Sequence, residues 1–245
     1  MQTTDPRRDA TVSGRNRLVW RLLTDALAAA DHEGERPTVL DCGGGSGSFA
    51  VPLAGAGAHV TVVDISADAL ATLRRRAEEA GVGDRIAPVQ ADVEQLADAI
   101  GPAVFDLVLA HGILEAVDSV PAAFASIAAT VRPGGLLSVL VGNPLAGVLA
   151  RALGGDIAAA LAELRALDAS FGPPGPSAVQ ALARDAGLLI DQLHGLGVFA
   201  EFVPGSALEA PGAAEALAEL EDETSARPPF SEIAARVHLL ARRPG

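Results

Sequence analysis

The sequence predicts a doubly wound α/β fold, a mostly parallel sheet with helices on both faces. Three observations predict it. First, the apolar pair Val39-Leu40 ends in an acid, Asp41, and breaks into Gly43, Gly44, Gly45 and Gly47 before a helical pattern from Phe49 to Leu53. That order of strand, glycine turn and helix is how such a sheet builds a nucleotide site at the carboxyl end of its first strand. Second, strand-like runs alternate with helical stretches over about residues 39–141. Third, four candidate strands end in polar residues, at 41, 64, 90–92 and 110–111. In a parallel sheet those ends share one rim.

Taken in order, the elements follow from spacing and punctuation. Residues 1–13 are polar and predicted to be loose. Apolar positions 19, 20, 23 and 27 have helical spacing, and Gly34 and Pro37 close that helix. His59 to Asp64 reads as a second buried strand, followed by a helix from Ala67 to Ala80 that Gly81 and Gly83 end. Its Arg74-Arg75-Arg76 run reads as a solvated face. The third strand is Arg85 to Gln90, and Pro88 predicts a sheet edge, because proline has no N–H to give a ladder. Phe105 to Ala110 is the fourth strand, with a helix expected from near Ile113. Val131 to Gly135 reads as a turn feeding a fifth strand, Leu136 to Val141. Two helices over 144–170 are split by Gly154-Gly155, and Phe171 to Ser177 reads as a loop or hinge. A helix over 177–186, a sixth strand over 188–194, an acidic helical segment over 206–223 and a closing strand over 237–241 complete the chain. The expected organisation is one domain over 1–245, with a covering helix at 14–34, a cofactor-binding core at 37–142, and insertion helices and last strands at 143–245.

Composition bounds the function. A chain of 245 residues is long enough to bury a substantial core. No apolar run reaches the ~18 residues that span a bilayer, and the start carries no signal-like apolar region, so a cytoplasmic protein without membrane contact is expected. Cys42 is the single cysteine, which excludes an intrachain disulfide and a cysteine-rich zinc site. It reads as a small buried residue closing a strand. All 18 basic residues are arginines against 31 acids, a net charge of −13. Such a charge opposes attachment to phosphate backbones, whose affinity comes largely from cationic contacts. A small-molecule substrate is therefore expected, with a nucleic acid disfavoured though a local arginine patch could serve one.

Several residues read as candidate site groups by position. Asp64 lies near the offset at which a carboxylate meets ribose hydroxyls in these sheets, and a carboxylate can accept from two neighbouring hydroxyls. Its bland alternative is an acid at the start of the next helix. Asp92 ends the third strand. Arg17 and Trp20 share a helix face. The spacing Gly43-x-Gly45-x-Gly47 is not the G-x-G-x-x-G of dinucleotide enzymes, because Ser48 stands where the last glycine would be. Asn143 follows the fifth strand as a candidate substrate contact or a turn residue before Pro144, and Arg151 is a candidate anchor for a substrate carboxylate.

As an ordered set, Val39-Leu-Asp-Cys-Gly-Gly-Gly-Ser-Gly47, Asp64, Asp92, Phe105-Asp-Leu-Val and Val131-Arg-Pro-Gly-Gly135 resemble the motifs of class I S-adenosylmethionine-dependent methyltransferases. The resemblance implies a Rossmann-like seven-stranded sheet with an antiparallel last strand, its N-terminal helix and insertions forming a lid. It implies S-adenosylmethionine as cofactor, held by Asp41, the glycines at 43, 44, 45 and 47, Asp64 with Ile65, and Asp92 with Val93. Gly14-Arg-Asn-Arg17, Ala110-His-Gly-Ile-Leu-Glu-Ala-Val117, Gly142-Asn-Pro-Leu-Ala-Gly147 and Ala216-Leu-Ala-Glu-Leu-Glu-Asp-Glu223 are similar to bacterial tRNA 5-carboxymethoxyuridine carboxyl methyltransferases. That likeness implies cofactor contacts for Arg17 and His111, with a guanidinium suited to the cofactor carboxylate. This chain departs from that family in having no lysine or tyrosine, in its acidity, and in Pro144.

The implied reaction is in-line methyl transfer to an oxygen or nitrogen. A carboxylate acceptor needs no general base, whereas a phenol or hydroxyl could use one, with His111, His194 and Glu201 as candidates. A non-catalytic cofactor-binding protein remains an alternative reading, since fold alone does not imply catalysis. A dinucleotide oxidoreductase is disfavoured by the glycine spacing and Asp92.

Overall fold

The computed structural model describes residues 16–30, 35–101, 104–167 and 174–245. The polar start at 1–13, Gly14 and Arg15, the closing Gly34, the end of the helical stretch at 168–170, and 171–173 of the expected loop lie outside the described residues.

A seven-stranded sheet organises the chain, in the order β3-β2-β1-β4-β5-β7-β6. Its strands are β1 (Thr38–Cys42), β2 (His59–Asp64), β3 (Ile86–Gln90), β4 (Phe105–His111), β5 (Val131–Gly142), β6 (Leu189–Leu196) and β7 (Arg236–Arg242). β1 to β5 are parallel, with Val39 opposite Val60 on one side and Leu107 on the other. β7 runs antiparallel to β5: Arg243 exchanges backbone bonds with Gly134 and Gly135, whereas Asn143 donates to Ala235, so numbering rises along one strand as it falls along the other. β3 is the edge strand that Pro88 predicts.

Two compact units are distinguished. One comprises Thr24–Val141, Ser177–Gln192 and Leu239–Gly245. Residues 39–42 of β1 are all buried, as expected of a central parallel strand covered on both faces. At the amino ends of its strands, Asp106 of β4 accepts from the Thr38 N–H and Oγ1, 2.7 Å each, and pairs with Arg132 of β5. Burial alone would raise the Asp106 pKa, but those hydrogen bonds and the Arg132 charge outweigh it and hold the carboxyl below its ordinary value. Three strands are thus clasped in register. Helix α3 (Ala67–Glu79) starts at Ser66, whose Oγ accepts from the Ala69 N–H, and it buries Leu70, Leu73 and Ala77.

Two expectations for this unit need correction. The helix expected near Ile113 begins instead at Val120, as α5 (Val120–Ala129), after the short helix α4 (Leu96–Ile100) that apolar spacing did not reveal. The start is fixed by Ser119, whose hydroxyl accepts from the Ala122 N–H, and by a proline in the first turn. Gly112, at φ +74°, turns the chain out of β4 first. The turn expected at 131–135 belongs to β5, whose register steps from Phe105↔Val131 to Leu107↔Leu136. Pro133-Gly134-Gly135 is thus a bulge within a strand.

The other unit comprises the chain up to Leu23, Gly142–Pro176 and Leu193–His238. Helix α1 (Arg17–Ala30) begins there and buries Leu18, Val19, Leu22 and Leu23. Helices α6 (Pro144–Leu153) and α7 (Ile157–Leu167) form the hairpin expected around Gly154-Gly155. α9 (Ala213–Thr224) and α10 (Phe230–Ile233) complete its helices, whereas α8 (Pro176–Asp185) belongs from Ser177 on to the first unit. No described helix is long and apolar enough to cross a membrane.

Candidate active site

At the carboxyl rim of the parallel strands, β1 delivers Asp41 and then turns. Gly43 N–H donates to the Val63 carbonyl at 2.7 Å, which ties the loop to β2, and Gly47 N–H donates to Gly44 O at 2.9 Å. Helix α2 (Ala50–Gly55) follows. Gly44 has no room for a side chain, because a Cβ there would stand 2.5 Å from Asp41 Oδ2. Gly45 differs. At φ +54° it occupies backbone space that favours glycine, and the atom nearest to a Cβ added there would be Asp64 Oδ2 at 3.7 Å. The loop therefore shows bare main chain beside a carboxylate.

Asp64 fixes that arrangement. Its Oδ2 accepts from the Gly45 N–H at 2.9 Å and its Oδ1 from the Ser66 N–H at 2.8 Å. The capping alternative describes part of its role, since Ser66 is the cap and Asp64 orients it. Ile65 follows with 70% of its surface exposed, an unusual position for a large aliphatic side chain unless something flat covers it. On the next strand end, Asp92 is exposed and accepts from the Glu94 N–H at 2.9 Å, while Val93 is buried beneath. Asp64 pairs with Gln90 across β2 and β3, so Asp64, Ile65 and Asp92 lie along neighbouring strand ends. Two carboxylates, an open aliphatic surface and a side-chain-free loop fit a nucleoside's hydroxyls and base.

Asp41 is buried, and its Oδ2 has no hydrogen-bond donor among the described residues. Burial, with the Asp64 charge adding to it, pushes its pKa up to about 7. Burial and the Asp41 charge likewise push the Cys42 thiol up, so Cys42 is the inert strand residue expected of it. His111 closes β4; its Nε2 shares a 2.8 Å hydrogen bond with the buried Ser138 of β5, and its ring meets Phe49 edge-on at 4.6 Å. Neither Ser138 nor Phe49 could be linked to His111 from sequence, because the link runs across strand pairing.

Arg76 is the other residue that sequence reasoning missed. Its Nη1 donates to the carbonyl and hydroxyl of Ser46, at 3.1 and 3.2 Å, and braces the glycine loop. The signal was present: Arg76 is three residues past Leu73 and adjacent to Ala77, hence beside the buried face of α3 rather than on its solvated one.

The remaining candidates lie in the other unit. Arg17 pairs with Asp222 at 3.1 Å, both side chains partly exposed. Asn143, expected as a substrate contact or a turn residue before Pro144, is engaged at the start of α6. Both amide hydrogens are engaged, donating to Glu232 O at 2.7 Å and Ala234 O at 2.9 Å, and its Oδ1 accepts from the Leu145 N–H to cap α6. Burial of two carbonyls that need donors explains that engagement. Arg151 is ion-paired with Glu163 across the α6–α7 hairpin.

Comparison with known proteins bears on what this rim holds. A family model described as a methyltransferase domain matches residues 39–135, from β1 into β5. The tRNA 5-carboxymethoxyuridine methyltransferase of Escherichia coli (strain K12) is 28% identical over 235 residues, 94% of this chain and 88% of that one. The ubiquinone biosynthesis O-methyltransferase of Methylocella silvestris is 38% identical over 123 residues, 50% of this chain and 46% of that one. Among solved structures, the magnesium protoporphyrin IX methyltransferase from Synechocystis PCC 6803 with bound SAM shares the fold, with a TM-score of 0.60 at 17% identity over 99% of this chain and 86% of that one. The domain match covers the strands that build the rim, and a relative with this type of activity aligns nearly end to end. These likenesses support an S-adenosylmethionine-dependent methyltransferase of the class I fold, with S-adenosylmethionine as its cofactor.

Proposed function

We propose that this enzyme methylates an oxygen, or a nitrogen, of a small-to-medium metabolite. The observation that carries the reading is the use made of cations. The net charge is −13, and Arg75, Arg85, Arg132, Arg151, Arg227 and Arg242 each stand in an ion pair with a carboxylate. Arginines spent in this way are poorly available to a phosphate backbone.

S-adenosylmethionine supplies an activated methyl on its sulfonium. The chain's task is to hold and orient, and fixing reactants in line is worth on the order of 7–11 kcal/mol of a barrier. In this reading Asp64 receives the ribose hydroxyls, Asp92 and Val93 the adenine edge, and Ile65 its face. Asp41 supports the glycine loop from below, and Gly43, Gly44, Gly45 and Gly47 let main chain approach the methionine part. Arg17 meets the methionine carboxylate with donors that the Asp222 pair leaves unused, since a guanidinium has five. His111, steadied by Ser138, is the group at hand to accept a proton from a hydroxyl acceptor.

A second reading is carboxyl methylation of a tRNA wobble uridine, favoured by the end-to-end similarity to the Escherichia coli tRNA enzyme. A carboxylate acceptor would need no base. Methyl-labelled S-adenosylmethionine offered with a panel of small phenols, carboxylates and amines, and separately with tRNA carrying carboxymethoxyuridine, distinguishes the two. Label in small acceptors and none in tRNA is expected; label confined to the tRNA nucleoside would overturn the first reading.

A further inference from the structure

The turn between β1 and α2 is pinned at both of its central residues by side chains of opposite charge. Gly47 N–H donates to Gly44 O at 2.9 Å, which closes a four-residue turn around Gly45 and Ser46. Asp64 Oδ2 holds the Gly45 N–H at 2.9 Å. Arg76 holds Ser46, its Nη1 donating to the carbonyl at 3.1 Å and to the hydroxyl at 3.2 Å. Helix α3 backs the same turn closely, since a Cβ on Gly47 would overlap Leu73 Cδ1. Of Arg74, Arg75 and Arg76 the first two are exposed, whereas Arg76 is half-buried beside the face that carries Leu73 and Ala77.

This placement has a consequence for binding. The peptide between Ser46 and Gly47 has its N–H on Gly44 O and its carbonyl on Arg76, so its plane is fixed from both ends. Glycine flanks Ser46 on either side, and glycine leaves the backbone its widest choice of shape. Without the guanidinium one tie is lost and the turn samples other conformations. A ligand then binds only the fraction of molecules that hold the right one, and its apparent affinity falls by that fraction. Asp64 and Asp92 are held differently: each keeps a main-chain donor, Ser66 N–H or Glu94 N–H, that Arg76 does not touch. We propose that Arg76 is a positioning residue for the cofactor, ordering Ser46 and with it the main chain that meets the methionine part. It therefore governs affinity for the amino-acid half of the cofactor and not for the nucleoside half. This role rests on the reading in which Asp64, Ile65 and Asp92 take the nucleoside and the glycine loop takes the methionine part.

The test is calorimetric titration of the full chain with S-adenosylhomocysteine and with 5′-methylthioadenosine, which keeps the nucleoside and sulfur but lacks the amino-acid end. Arg76→Met keeps an unbranched stem and removes the donors. It should weaken S-adenosylhomocysteine about fivefold or more, and leave 5′-methylthioadenosine within about twofold of the parent. Arg76→Lys keeps the charge without the planar fork and should fall between the parent and Arg76→Met. Ser46→Ala removes the hydroxyl but leaves the carbonyl, so its loss should be the smaller one. Combined with Arg76→Met it should cost no more than Arg76→Met alone, because both act through one contact. Arg75→Met alters the exposed neighbour that pairs with Glu79 at 3.6 Å, and should bind like the parent. Parity of Arg76→Met with the parent, equal losses for the two ligands, additive losses in the double variant, or a loss as large in Arg75→Met would each overturn the proposal alone. A parent that binds no S-adenosylhomocysteine would overturn the cofactor reading along with it. Should Arg76→Met fail to fold, Arg76→Lys with the same two ligands decides: a loss confined to S-adenosylhomocysteine supports the role, and parity or equal losses overturn it.

Discussion

Asp41 is the residue whose environment most conflicts with its charge. It is buried, its Oδ2 has no donor among the described residues, and its pKa is pushed up to about 7 by burial and by Asp64. In the unfolded chain the same carboxyl titrates near 3.8. Between those values the folded protein holds a proton that the unfolded chain has lost, so this group's contribution to stability falls as pH rises from about 4 to 7, at about 1.4 kcal/mol per pH unit. Asp41→Asn should remove that slope and raise stability at pH 8 by a few kcal/mol, read from urea melts of both proteins at pH 5 and pH 8. An unchanged difference between the two pH values would show that Asp41 is not the titrating group. Asp64 makes the opposite use of a carboxylate, with both oxygens held by main-chain N–H groups at the mouth of the loop. Asp64→Ala should weaken S-adenosylmethionine at least tenfold by calorimetry, in line with the roughly 1–3 kcal/mol lost with hydrogen bonds to a polar ligand. Affinity equal to the parent's would remove Asp64 from the ribose. For Arg17 the sharper test is Arg17→Lys, since lysine keeps the charge but loses the planar fork. Weaker cofactor binding is expected, and parity in the same titration would end the carboxylate clamp.

Among the elements, the clasp of Thr38, Asp106 and Arg132 joins the amino ends of β1, β4 and β5. Asp106→Ala leaves the Thr38 N–H and the Arg132 guanidinium without their acceptor, so a loss of about 2 kcal/mol is expected in denaturant melts. A change within about 0.5 kcal/mol would make the clasp a surface contact of little weight. The sequence motif Phe105-Asp-Leu-Val located this acid but not its work, because its partners are set by strand order. The same limit holds elsewhere in the chain. Strands were legible because interior parallel strands are continuous apolar runs, and the rim acids because each ends such a run. Pro88 correctly marked the edge, since a missing N–H excludes a central position. The start of α5 was misread because Ile113 and Leu114 continue a helical pattern into a segment where Leu114 is buried without being helical. Only the Ser119 cap, read together with the proline after it, tells where the helix begins. The bulge at Pro133-Gly134-Gly135 looked like a turn, as the same residues serve both uses. Ser138 and Arg76 were invisible or misassigned for one reason: each side chain acts on a residue far away in sequence.

At the scale of the whole molecule, two buried titrations of opposite sign act on one stability curve. His238 is fully buried and stacks at 6.4 Å with His194. Burial, and then the His194 charge, push its pKa down to about 3; burial and the Arg21 charge also lower His194. In the unfolded chain such an imidazole takes up a proton near pH 6.5, while the folded protein refuses it. The contribution of His238 is therefore complete above about pH 6.5 and is lost as pH falls toward 3, a slope opposite to that of Asp41. From about pH 4 to 6.5 Asp41 runs against the two histidines, so the parent should show a shallower stability profile there than a protein with the histidines alone. Asp41→Asn leaves the histidine contribution unopposed. The variant should become steeply pH-dependent, losing about 1.4 kcal/mol per unit as pH drops below 6. A series of urea melts at half-unit intervals from pH 4.5 to 8 reads both curves. A variant profile as flat as the parent's would mean that the two buried groups do not offset one another, and that some third group sets the acid limit of this fold.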